Sequence, residues 1–232
     1  VDLDDHCYRH GRSWTQEPGT VPRRVRKALG HWLERRAVAR LDHAFVVNVA
    51  DLPLVRTRAC SLLPNVSQGA VAPAVPEDGP PANPGLLFVG ALWYPPNRDG
   101  VDWFLRAVWP AVRRAVPAAT LTLAGSAPPQ VRRAWERQAG VSAPGFVPDL
   151  AQAYAAATAA VVPIHAGGGS NIKVLEALAH RRPCIVSSFA AAGFGAALRD
   201  GAHLLKADNA TAFADRAIAV LRKPAAYAGM AA

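Results

Sequence analysis

A chain of 232 residues, half of them hydrophobic, is long enough for one large or two modest domains with a buried core. No apolar run approaches the ~20 residues that span a bilayer, and the opening Val1-Asp2-Leu3-Asp4-Asp5 is acidic where a signal peptide is basic, so a soluble, cytoplasmic protein is expected. The net charge of +9 would suit a nucleic acid only if the basic residues clustered; arginine far outnumbers lysine throughout, beside abundant Ala and Pro, which reads as coding bias, and no nucleic-acid partner is expected.

In chain order, a turn-rich stretch to Pro22 precedes a densely basic segment with Arg23, Arg24, Arg26, Lys27, Arg35, Arg36 and Arg40, whose Val25, Leu29, Trp32, Leu33, Ala37 and Leu41 mark an amphipathic helix. Its basic residues form a solvated face or a contact for anionic lipid, at the inner side of a membrane, or for a phosphorylated substrate. Strands are predicted over Ala44 to Val49 and Leu62 to Val66, with a turn or short helix from Asp51 between them. Ser67 to Pro84 is rich in Pro, Gly and Ala and reads as a linker.

Beyond it the pattern becomes regular. Strands are expected at 86–89, 120–124, 142–147, 160–164 and 183–186, alternating with helices from Val101 to Val112, Val131 to Ala139, Asp149 to Ala157, Asn171 to His180 and Ala210 to Leu221. Pro110 should break or restart the first of these. Such alternation implies a Rossmann-like parallel sheet with helices on both faces. The expected division is an N-terminal remnant over 1–66, a linker over 67–84, the main α/β domain over 85–224 and a tail over 225–232. Met230 is the only methionine, which with the abrupt start reads as a fragment or a processed form.

Cys7, Cys60 and Cys184 lie far apart and form no CxxC pair, and His6, His10, His31 and His43 lack metal-ligand spacing, so neither a disulfide framework nor a metal site is expected. The chemistry concentrates instead at Ala166-Gly167-Gly168-Gly169-Ser170, a Gly-rich loop between a predicted strand and a helix, where open parallel sheets bind ligands. Glycines let backbone N–H groups approach an anion, Ser170 is a natural N-cap, and the helix start favours negative charge. Lys173 in the first turn opposes the helix dipole unless an anion lies nearby, and Glu176, on the same face, can accept hydrogen bonds from ribose hydroxyls. A Walker loop is absent, and Ile172 stands where a dinucleotide fingerprint needs its last glycine.

Leu87-Phe88-Val89-Gly90, Tyr94 to Asp99, Val108-Trp109-Pro110, Leu123-Ala124-Gly125, Gly145 to Leu150, Val162-Pro163-Ile164, Gly167 to Leu178 and Gly201 to Leu205 together resemble the C-terminal half of family 4 glycosyltransferases. The N-terminal segment, ending at Pro64-Asn65-Val66, resembles the end of the acceptor-side domain. The resemblance implies a two-domain GT-B enzyme that transfers a sugar from a nucleotide-diphosphate-sugar to a glycan, lipid or other acceptor. Transfer would retain anomeric configuration and use no metal or other cofactor.

By motif position, the resemblance makes Glu176 the second glutamate of the family's EX7E pattern, on the donor ribose. It places Gly167, Gly168, Gly169, Ser170 and Lys173 at the diphosphate and sugar, and Gly90 against the diphosphate. Phe146, Val147 and Asp149 would flank the base. Lys173 and Glu176 are the catalytic candidates. The first EX7E glutamate would fall at Gly168, a glycine-rich subtype. The Arg and Lys that many members carry after the first glycine are also missing, and Arg98, His165 or Lys173 is expected to supply that charge, with Asn97 beside them. Asp2-Leu3-Asp4 also matches short metal and dehalogenase motifs but lacks their downstream partners; Asp2, Asp4 and Asp5 could instead be strand-end carboxylates near the acceptor cleft. Two other readings stand beside transfer: a donor-binding fragment without activity, and a non-transferring relative such as a sugar-nucleotide epimerase.

Overall fold

The computed structural model describes residues 2–3, 23–65, 83–168 and 170–231. Asp4, Asp5, His6, Cys7, His10, Val66, Gly169 and residues 67–82 of the expected linker (67–84) lie outside the described residues. The chain divides into two compact units, one holding the residues up to Asn65 with the loops 166–171 and 192–195, the other holding the rest.

The first unit contains strands β1 (Asp2–Leu3), β2 (His43–Val46) and β3 (Ala59–Leu62), with helix α1 (Arg23–Val38) between β1 and β2. The strands form a parallel sheet in the order β1-β2-β3. β2 alternates, with Ala44 and Val46 buried and His43 and Phe45 exposed, the period of a half-buried strand. Val38, Ala44, Val46 and Val55 form a small core against which Leu52 and Cys60 pack.

Three expectations change here. β2 stops at Val46 because Val49–Asp51 turns into a 3-10 helix. β3 lies earlier than predicted: Leu63 N–H still donates to Val46 C=O, but Pro64 has no N–H with which to continue the ladder. The apolar stripe of α1 is not buried along its length either. Leu29, Trp32 and Leu33 are each just over half exposed, whereas Val38 at the helix end is buried.

The second unit carries β4 (Gly85–Val89), α2 (Pro95–Ala107), α3 (Trp109–Ala115), β5 (Thr120–Ala124), α4 (Pro129–Glu136), β6 (Val141–Gly145), α5 (Leu150–Ala155), β7 (Ala159–Val162), α6 (Lys173–Ala179), β8 (Cys184–Val186), α7 (Ser188–Ala191), β9 (Leu205–Lys206) and α8 (Ala210–Arg222). Its six strands are all parallel, in the order β6-β5-β4-β7-β8-β9. The central strands read as continuous apolar runs because helices cover both faces; Leu86, Leu87, Phe88, Val161 and Val162 are all buried.

Pro110 restarts the helix as expected. α2 ends at Ala107 and α3 begins at Trp109, so the missing proline N–H falls in a first turn, where no intrahelical partner is lost. At Gly100 a Cβ would overlap the carbonyl oxygen of Pro163, so only glycine lets α2 lie this close to the chain leaving β7. Phe213 of α8 meets Phe104 and Trp103 of α2 edge-on, with centroids 5.8 and 5.7 Å apart. Pro224–Ala231 forms a 3-10 helix where only a tail was expected, and α7 and β9 were likewise not foreseen.

Candidate functional site

In a parallel sheet every strand ends on the same edge, and the loops there face whatever binds. On this edge Gly90 follows β4, Gly125 follows β5 and Gly145 closes β6. Gly90 N–H donates to Ala124 C=O at 3.0 Å and Gly125 N–H to Gly145 C=O at 2.7 Å, so the strand ends are stitched together beyond the ladder. Gly125 has φ +145° and a Cβ there would overlap the carbonyl oxygen of Gly90. The result is a bare backbone floor. Phe146, directly after Gly145, is 76 % exposed.

Lys173 begins α6, and its Nζ donates to Oδ1 of Asn97 at 3.1 Å. The ammonium lies 5.6 Å from the centroid of the Phe88 ring in β4, a favourable cation–π arrangement. A Cβ on Gly90 would be 3.1 Å from both Lys173 Cε and Asn97 Nδ2, so the glycine's bareness makes room for the pair. Asn97 is buried, and its Nδ2 donates to Ala91 C=O at 2.9 Å.

Burial draws the Lys173 ammonium down from the usual 10.5 to about 8, against the opposing pull of Glu176 and Cys184. Burial raises the Glu176 carboxyl, with Lys173 opposing. The fully buried Cys184 thiol is pushed up to about 12 and is no nucleophile at neutral pH.

Gly90, Asn97, Lys173 and Glu176 are therefore brought together. Arg98 lies in the first turn of α2, next to Asn97. Asp149 accepts from Gln152 N–H at 3.0 Å and caps α5, so one of its oxygens serves the helix; Val147 is half-buried nearby in sequence. His165 stands edge-on to Trp103, centroids 4.6 Å apart. Burial lowers its pKa while Asp208 opposes, and Asp208 itself accepts the Ser188 O–H at 2.6 Å and N–H at 2.7 Å.

Ser170 does not cap α6. Asn171 adopts φ +48° and Ile172 stands at the helix entrance in helical conformation without a side-chain cap, so the serine is two residues too early. Its buried hydroxyl instead accepts from Asn65 Nδ2 at 2.9 Å within the first unit. The same unit places Asn48 about the loop at Gly193: a Cβ there would meet Asn48 Nδ2 at 3.3 Å and Ser170 Cα at 3.4 Å. Gly167 needs its glycine, with φ +116°, and Gly168 is half-buried.

Sequence reasoning alone did not single out Gly125, Phe88 or Asn65 as site residues. A glycine following a strand in a parallel sheet was the available sign for Gly125. Nothing local marked Phe88 or Asn65, whose partners lie 85 and 105 positions away.

Residues 83–223 match the family described as Glycosyl transferases group 1. The chain belongs to that family. No curated protein matches the chain in sequence, but solved structures of glycosyltransferases share its fold. A mutant of S. aureus TarM in complex with fondaparinux, alpha-GlcNAc-glycerol and UDP is 11 % identical with a TM-score of 0.72; the match covers 96 % of this chain and 44 % of that one. Sucrose-phosphate synthase from Thermosynechococcus elongatus is 18 % identical with a TM-score of 0.67, covering 91 % of this chain and 57 % of its own. The pneumococcal O-GlcNAc transferase GtfA, in complex with UDP and GlcNAc, is 15 % identical with a TM-score of 0.63, covering 86 % and 42 %. This group 1 glycosyltransferase chain thus has the α/β fold of GT-B enzymes and spans less than two thirds of each of these proteins.

Proposed function

We propose that the chain is the donor-binding part of a retaining, metal-independent family 4 glycosyltransferase that takes its sugar from a nucleotide-diphosphate-sugar. Lys173 carries this reading. Its ammonium is held beside Gly90 at the ligand-binding edge of a parallel sheet, and burial has drawn its pKa down. A diphosphate placed there would restore the lost electrostatic stabilisation.

In this reading Lys173 stabilises the charge that builds on the departing nucleoside diphosphate, and Glu176 accepts the ribose hydroxyls. Gly90 and Gly125 let the phosphates approach the backbone, and Phe146 and Val147 flank the base. Gly167 to Ser170 enter through their place in the sequence, directly before the helix that carries Lys173. The acceptor is a glycan or a lipid-linked group. UDP is the probe of choice because TarM and GtfA were solved with it. Calorimetry should show that Lys173→Ala weakens UDP more than uridine; equal losses would remove the phosphate role.

A second reading is that the chain binds donor without transferring sugar, because Lys173, Glu176, Gly90, Gly125, Phe146 and Val147, which the first reading places on the donor, all lie in the second unit. Incubation with a UDP-sugar alone and with a glycan acceptor separates the cases. Free UDP with glycosylated acceptor supports transfer, an epimerised sugar supports an epimerase, and neither supports a binding fragment.

We also propose a cytoplasmic location with peripheral membrane contact through α1. No helix among the described residues is long and apolar enough to cross a membrane, and Trp32, Leu29 and Leu33 are exposed on the helix that carries Arg35 and Arg36. Co-sedimentation with phosphatidylglycerol vesicles but not with phosphatidylcholine vesicles is expected. Equal recovery with both would count against it.

A further inference from the structure

The sequence placed Asn97 among the groups that touch the donor, and its geometry points to a task within the protein. Asn97 is only 6 % exposed, and both ends of its amide are engaged within the protein. Nδ2 donates to Ala91 C=O at 2.9 Å and Oδ1 accepts from Lys173 Nζ at 3.1 Å. The amide thus bridges the loop after β4 to the first residue of α6, two segments 76 positions apart. We infer that Asn97 is a positioning residue, which fixes the Lys173 ammonium against the Gly90 loop and directs its remaining N–H donors toward the bound diphosphate.

A lysine has three donors on a freely rotating ammonium at the end of a flexible stem. One fixed acceptor removes most of that freedom, and a neutral acceptor does so without cancelling the charge that an anion needs. An aspartate at position 97 would hold the ammonium equally well but would compete with the ligand for it. The amide's N–H side has its own task, since it gives the Ala91 carbonyl, which also accepts from Tyr94 N–H at 3.1 Å, a second donor that ties α2 to the loop. The groups that face Lys173 are Glu176 on its own helix, Cys184 on β8, the Phe88 ring on β4 and Asn97 on α2. Among these Asn97 accepts a hydrogen bond from the ammonium, so it favours the charged lysine.

This inference rests on the reading of Lys173 as the diphosphate contact, and one set of measurements distinguishes the two. UDP and uridine binding to the full chain are compared by calorimetry between pH 6 and 9 for the wild type, Lys173→Ala, Asn97→Leu and Asn97→Asp. In the wild type UDP should be preferred over uridine, with that preference fading as Lys173 loses its proton. Asn97→Leu should lower the preference about tenfold at pH 7, the loss of one charge-assisted hydrogen bond, and should move the fading to lower pH. Asn97→Asp should also weaken UDP at pH 7 but move the fading to higher pH, because an added carboxylate favours the ammonium.

Uridine affinity unchanged in both Asn97 variants, with the two pH shifts in opposite directions, supports the positioning role. If Lys173→Ala loses the UDP preference while Asn97→Leu keeps it with an unmoved pH profile, the positioning role is overturned and the Lys173 reading stands. If Lys173→Ala keeps the preference, the underlying reading falls and this one with it. Parallel loss of uridine and UDP in both Asn97 variants would make Asn97 a packing residue and overturn the proposal.

Discussion

Gly125 lies against the carbonyl oxygen of Gly90 so closely that no Cβ fits between them. The two glycines end neighbouring strands, and the hydrogen bond from Gly90 N–H to Ala124 C=O locks the loops at that separation. Gly125→Ala must therefore push the Gly90 loop outward and also adopt a φ that side chains rarely tolerate. The expected cost is about 1–3 kcal/mol, or roughly 2–4 °C of melting temperature per kcal/mol for a chain of this size, with UDP affinity falling as well. An unchanged melting curve would mean that the loops have room to part.

Lys173 sets a pH dependence with opposite signs for binding and for folding. Burial holds its folded-state value at about 8, below the ordinary 10.5. Between those values the unfolded chain binds more protons than the folded one, so this group makes stability rise with pH across that window. Anion binding runs the other way, because the ammonium must be charged. UDP affinity should be level below pH 8 and then fall by up to about tenfold per pH unit. Titration calorimetry on the wild type and Lys173→Ala checks this; an equal fall in the variant would place the titrating group elsewhere.

Glu176 lies one helical turn from Lys173, half-buried. Burial raises its pKa and Lys173 opposes that rise. Glu176→Gln keeps the shape and one acceptor oxygen but removes the charge, so UDP should bind about tenfold or more weakly. If the carboxylate holds ribose, the variant should no longer distinguish UDP from its 2′,3′-dideoxy analogue, whereas the wild type does. Continued discrimination by the variant would sink the ribose assignment.

Arg182 supports the fold away from the site. It is 8 % exposed, and its guanidinium donates to Tyr154 C=O at 2.8 Å and Ala155 C=O at 3.2 Å, closing the last turn of α5. Arg182→Leu leaves Tyr154 C=O with its backbone donor from Ala157 N–H but takes the guanidinium from Ala155 C=O, and should cost about 1–3 kcal/mol in urea denaturation. UDP affinity of the folded variant should stay near that of the wild type. A stability loss below measurement error would mean that water replaces the guanidinium.

The second unit was legible in the sequence because its signals are local. Runs such as Leu86-Leu87-Phe88-Val89 announce buried parallel strands, and Pro110 marks a helix restart within one residue. The first unit was read less well. β3 is half-buried at best, so burial left little pattern in its residues, and the apolar spacing of α1 promised a packed face that Leu29, Trp32 and Leu33 do not form. At the site, Lys173 and Glu176 stood out because a cation at a helix start asks for an anion. Asn97 stood out too, but its direction was hidden: whether an amide faces a ligand or its own protein depends on partners far away in the chain. Ser170 was misplaced for a related reason. Its cap role depended on where the helix begins, and one residue with positive φ, Asn171, moves that point.

All six strands of the larger sheet run parallel, so the side chains that hold the frame lie between the strand ends while the loops after β4, β5 and β6 share one rim. Residues on that rim, such as Phe146 and Val147, can be exchanged without opening the apolar layers beneath them. Under the proposed donor role, donor preference is therefore a property that can drift or be engineered by loop replacement, with Gly90, Gly125 and Gly145 as the fixed points between which any new loop must be strung.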